Sequence, residues 1–185
     1  MDNKSVVDSF RASGFADCGT VIDEQWSRDL FAKLEWKRYF GPDIFFTEQE
    51  FEESLKNPPA GRGKVLDLLE GEDVSPIEDS PELKEAFSKV LGPNCRIYAR
   101  RVICSVPLEW VPAWVFKKYY ASRSASFNLF IKPEFHDVRH FLGINYHQDT
   151  MDFVNRDPDF VTFYVYLQDV DENNSPLFVF PKSHA

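Results

Sequence analysis

Apolar residues recur at helical spacing in the first half of the chain and at strand spacing in much of the second. Trp26, Leu30, Phe31 and Leu34 fall three or four apart behind Asp23, which predicts an N-cap and an amphipathic helix. Thr47-Glu-Gln-Glu50 has the form of a capping box and opens a short helix that must stop before Pro58-Pro59. Residues 64–70 have room for one or two helical turns. Ser80-Pro81 supplies an N-cap and a first-turn proline for a helix carrying Leu83, Phe87, Val90 and Leu91, with Gly92 as its stop.

After Gly92 the period shortens. Residues 95–106, 126–132, 160–168 and 176–181 read as strands. The third is the clearest, with Val161, Phe163, Val165 and Leu167 on one face and Thr162, Tyr164, Tyr166 and Gln168 on the other. Asp171-Glu-Asn-Asn-Ser175 is a turn cluster, and residues 57–63 are a candidate connector. Helices followed by antiparallel strands predict an α+β domain on a β-sandwich or jelly roll.

Composition narrows the class. At 185 residues and 43% hydrophobic, with 18 phenylalanines, the chain can fill one core, so a single domain over 1–185 is expected. A net charge of −9 argues against nucleic-acid and anionic-membrane partners. Cys18, Cys95 and Cys104, odd in number and without CxxC spacing, predict reduced thiols. No apolar run suggests a signal peptide or a membrane span, which leads to the expectation of a cytoplasmic protein.

The chemistry is concentrated at His147-Gln148-Asp149. On an extended segment, positions i and i+2 share a face, so the imidazole and carboxylate project together. Such a pair forms two thirds of the two-His, one-carboxylate site that binds non-haem Fe(II). The competing reading is a surface histidine beside a turn aspartate. His136 and His140 have the spacing of one helical turn, which allows a zinc pair, but Pro133 and its neighbours favour a loop in which both are solvated. His184 is a weak candidate for a third ligand. Trp110 and Trp114 could cap a pocket, although core packing accounts for them as well. The acidic run 70–79 reads as a solvated loop. No nucleophile elbow, P-loop or dinucleotide fingerprint occurs.

Four segments together resemble the phytanoyl-CoA dioxygenase family of Fe(II)- and 2-oxoglutarate-dependent oxygenases. Gly14-Phe-Ala-Asp-Cys-Gly-Thr-Val-Ile-Asp23 resembles its N-terminal signature, and Leu91-Gly-Pro-Asn-Cys-Arg-Ile97 its helix-to-strand junction. Asn145-Tyr-His-Gln-Asp149 resembles its metal motif. The most specific is Asp169-Val-Asp-Glu-Asn-Asn-Ser-Pro-Leu-Phe-Val-Phe-Pro-Lys-Ser-His184, in which Ser175 and Lys182 replace the family's usual glycines.

The resemblance implies N-terminal helices over about 1–92 packed on a double-stranded β-helix, jelly-roll or cupin-like, over 93–185. It implies His147 and Asp149 as iron ligands, with Asn128 and Tyr164 contacting 2-oxoglutarate. Molecular oxygen and a small organic substrate or acyl thioester would be the other reactants, and hydroxylation the outcome, since halogenating relatives lack the carboxylate that Asp149 supplies. In the family the distal His and the 2-oxoglutarate-binding Arg come several strands later. The chain is therefore expected to be a C-terminally truncated oxygenase, with an incomplete jelly roll that is marginally stable or aggregation-prone alone. Two alternatives follow: a catalytically inactive truncated binding module, and a cupin that uses His184 as third ligand without 2-oxoglutarate.

Overall fold

The computed structural model describes residues 3–56, 67–121, 127–143, 160–172, 174 and 176–183. These combine helix with a two-stranded parallel sheet, a mixed class compatible with α+β; the jelly roll expected from the sequence is not shown by them. In chain order the helices are α1 (Asn3–Ser13), α2 (Glu24–Lys37), α3 (Glu48–Lys56), α4 (Ser75–Glu78), α5 (Pro81–Leu91) and α6 (Ala113–Ala121). The strands are β1 (Val102–Val106) and β2 (Val138–Leu142).

The helix starts follow from local side-chain chemistry. Asp23 Oδ1 accepts the Trp26 backbone N–H at 2.9 Å and caps α2. At α3 the capping box is reciprocal: the Glu50 N–H donates to Thr47 Oγ1 at 3.2 Å, and the Thr47 N–H donates to a Glu50 carboxylate oxygen at 2.7 Å. That backbone bond from Thr47 is the main reason the Glu50 carboxyl is held below its ordinary value. Ser80 Oγ accepts from Leu83 N at 3.3 Å with Pro81 in the first turn, and Gly92, at φ 92°, ends α5.

The chain forms two compact units. One comprises described residues within Met1–Phe31, Gly71–Tyr98 and Tyr146–Ala185; the other lies within Ala32–Glu70 and Ala99–Asn145. In the first, α1 packs on α5 and buries Val7, Leu83 and Ala86. Phe87 of α5 meets Phe163 edge-on, with ring centroids 5.4 Å apart. Arg11 donates to the Lys89 carbonyl at 3.1 Å, tying the end of α1 to α5.

Lys182 carries the one positive φ outside glycine among the described residues, 66°, and its N–H donates to the Ser13 carbonyl at 2.7 Å. A left-handed backbone crowds a Cβ, so glycine suits this position better than lysine. Lys182→Gly is expected to stabilise this unit by about 0.5–1 kcal/mol, read as a rise in the urea midpoint at unchanged slope. A lower midpoint would show that the lysine side chain outweighs the strain.

The second unit contains an aromatic-rich core of Ile44, Phe45, Phe51, Val106, Val111, Val115, Phe127, Phe130, Ile131 and Leu142. Phe51 stacks on Phe130 at 5.2 Å and lies 5.3 Å from Trp114, so Trp114 serves core packing. Lys118 of α6 lies over the Phe51 and Trp114 rings and pairs with Glu52 of α3. β1 and β2 run parallel, with Val102 opposite Val138 and Val106 opposite Leu142. A parallel pair requires a long crossover, and residues 107–137, including α6, provide it.

Several strand expectations are corrected here. The observed pair is parallel where antiparallel pairing was expected. Of residues 95–106 only Val102–Val106 join a ladder, and 95–101 lie exposed. Residues Phe127–Phe130 form a 3-10 turn, because Phe127, Phe130 and Ile131 reach the core at i, i+3 and i+4 spacing. Residues 160–168 keep the expected alternation, odd positions half-buried and even positions exposed, but no strand ladder is present there or at 176–181 among the described residues. Residues 64–66 of the short helix expected over 64–70 fall outside the described residues; Asp67 to Glu70 form a turn.

Candidate functional site

The described polar groups gather around the entry to β2 in the second unit. Val138, His140 and Leu142 alternate inward along the strand while Arg139 faces out. His140 is only 2% exposed, which corrects its expected solvated role; the strand period places it on the apolar face. Its backbone N–H donates to Asn128 Oδ1 at 3.5 Å, a long bond that sets the half-buried Asn128 side chain against β2. The oxygen is thus turned toward the strand, and the two amide hydrogens on Nδ2 are the donors Asn128 can offer elsewhere.

Asp137, 5% exposed, precedes the strand. One of its carboxylate oxygens, Oδ2, accepts from Arg38 Nε at 3.0 Å and also from Arg38 Nη2, and the same guanidinium lies 5.6 Å from the Phe135 ring centroid. Among the described residues, its other oxygen, Oδ1, and His140 Nδ1 are buried without a hydrogen-bond partner. His136 is exposed, and its Nε2 lies 2.9 Å from the Ile131 carbonyl oxygen.

Burial dominates the titration behaviour. Desolvation, with a smaller contribution from neighbouring His136, lowers the His140 pKa to about 4 against opposing pulls from Asp137 and the Val138 backbone. Cys104, the residue opposite His140 on β1, has its thiol pushed up to about 11 by desolvation. Both groups are therefore neutral near pH 7, and the pair is no thiolate–imidazolium nucleophile.

The residues singled out from the sequence belong to different units or lie outside the described residues. Asn128 belongs to the second unit. Tyr164, 41% exposed, lies on the alternating segment of the first. In that unit the Leu177 N–H donates to the Tyr166 hydroxyl at 3.3 Å, and Asn174 closes the expected turn, accepting from the Asp171 N–H and donating to the Asp169 carbonyl, both at 2.6 Å. His147, Asp149 and His184 lie outside the described residues. Among the described residues no group of three His, Cys, Asp or Glu side chains is placed to hold a metal ion, and no helix is long and apolar enough to cross a membrane.

Asp137 and Arg38 were missed as a site because the ion pair joins positions 99 residues apart. A signal for His140 was present in the inward alternation Val138-Arg-His-Phe-Leu142. No protein-family model matches the sequence, and no curated protein or solved structure matches it.

Proposed function

We propose that this chain is an Fe(II)- and 2-oxoglutarate-dependent dioxygenase, or the part of one that carries two iron ligands, acting on a small organic substrate or acyl thioester. The observation that carries this reading is the His147-Gln148-Asp149 tripeptide, followed at family-like distance by the Asp169–His184 segment. Imidazole and carboxylate are donors suited to Fe(II) with coordination positions left open. A second support is the left-handed backbone at Lys182, a conformation glycine favours, at the point where the resembled family carries glycine. The mixed α+β class is compatible with the reading.

His147 and Asp149 are the residues that would hold the iron. Bound together, iron and 2-oxoglutarate supply oxidative decarboxylation and C–H hydroxylation, chemistry beyond the reach of side chains. The chain's own part is to bind and orient. Asn128 offers its Nδ2 hydrogens to an anionic oxygen because its Oδ1 faces the His140 N–H. Tyr164, on the exposed side of its segment, offers a phenol hydroxyl.

The test is succinate release from 2-oxoglutarate by the protein with Fe(II) and oxygen, with and without candidate substrates. Succinate that requires both iron and oxygen supports the proposal. Its absence under all conditions, with iron bound, favours the alternative of a catalytically inactive binding module.

A further inference from the structure

We propose that β2 is an acid-sensitive latch: in the closed form it holds His140 neutral and buried, and acidification opens the strand by charging that imidazole. The geometry supplies the parts. His140 is sealed in the core face of β2, and among the described residues its Nδ1 has no hydrogen-bond partner, so charging the ring there is disfavoured.

Among the described residues the groups facing it are few. From β1 comes the neutral Cys104 thiol at the opposite register position. The 3-10 turn Phe127–Phe130 contributes the uncharged Asn128 amide, which engages the His140 backbone. On the chain just before the strand stand His136, which lowers the ring's affinity for a proton, and Asp137, which together with the Val138 backbone raises it. Arg38, from just beyond α2, already occupies one Asp137 oxygen and adds positive charge there. The balance is against charging His140 while the strand is closed.

Opening β2 exposes the ring to water, where it accepts a proton at its ordinary affinity. The closed form binds that proton only near pH 4, against 6.5 for an ordinary imidazole. Between these values the open form binds more protons than the closed one. Stability of the closed strand is therefore complete above 6.5 and falls as pH drops, about tenfold in the opening equilibrium per pH unit. β2 ends one residue before Gly143 and leads along the chain to His147, so the latch sits on the segment that introduces the proposed iron ligands. The inference stands apart from the iron reading, since its test follows strand opening and needs no turnover.

Hydrogen-exchange protection of the Val138–Leu142 amides, corrected for intrinsic exchange, should fall about tenfold per pH unit from 6.5 toward 4 in the wild type. In His140→Gln that dependence should flatten. A fall of equal steepness in the variant overturns the proposal. An NMR titration of the wild-type imidazole decides the matter even if the variant fails to fold: a midpoint well below 6.5 supports the latch, and a midpoint at 6.5 overturns it.

Discussion

Asp149→Ala is expected to lower iron-dependent succinate release at least on the order of a hundredfold, and His147→Ala to do the same, while the folded state survives. Each substitution removes one of two proposed donors from a site whose ligands must be anionic or neutral bases. Measured without metal, the far-UV spectrum and the urea midpoint are expected to stay close to wild type, because the loss of a ligand acts through the bound ion. The pattern separates a ligand from a residue that merely shapes the fold. Undiminished turnover in Asp149→Ala would remove the carboxylate from the site and with it the hydroxylase assignment.

The second large effect is on stability. Arg38 and Asp137 join the end of α2 to the turn that begins β2, and the carboxylate is almost wholly buried. Arg38→Met keeps an apolar stem beside Phe135 but leaves a buried carboxylate without its cation, a change expected to cost about 3–5 kcal/mol. Arg38→Met combined with Asp137→Leu should recover most of that loss, because no charge then remains to be desolvated. The check is a urea titration of the wild type, the two single variants and the double variant. If both single variants lie within about 0.5 kcal/mol of wild type, the pair behaves like an exposed ion pair and the clamp is not structural.

These two expectations draw on different kinds of information. Helix starts were legible because they are local: Asp23, Thr47 with Glu50, and Ser80 with Pro81 satisfy backbone N–H groups three residues away. The turn at Asp171 and Asn174 was legible for the same reason. α1 escaped notice although Val7 and Phe10 are three apart, because its short apolar stripe is set among polar residues. α6 escaped because its Trp, Val, Phe and Tyr side chains favour strands by propensity, and only burial of Val115 and half-burial of Tyr119, four apart, betray the helix.

Short apolar runs deceived in the opposite direction. Phe127 to Ile131 has the length and composition of a strand, and periodicity over five residues cannot separate that from a turn of helix. Sheet pairing was not legible at all. Val102 finds Val138 across 36 positions of sequence, and nothing in either segment names its partner or a parallel direction. At the candidate site, the chemistry of His147 and Asp149 was visible as residue types at a fixed spacing. The Arg38–Asp137 clamp and the buried His140 depend on chain reversals that no local pattern encodes, which is why the stability prediction came from the fold and the catalytic one from the sequence.

The central claim, that His147 and Asp149 bind iron, is tested most directly by anaerobic calorimetric titration with Fe(II), comparing wild type with His147→Ala and Asp149→Ala. The account predicts one tight, sub-micromolar equivalent in the wild type, weakened on the order of a hundredfold by either substitution. Equal iron affinity in all three proteins would contradict it.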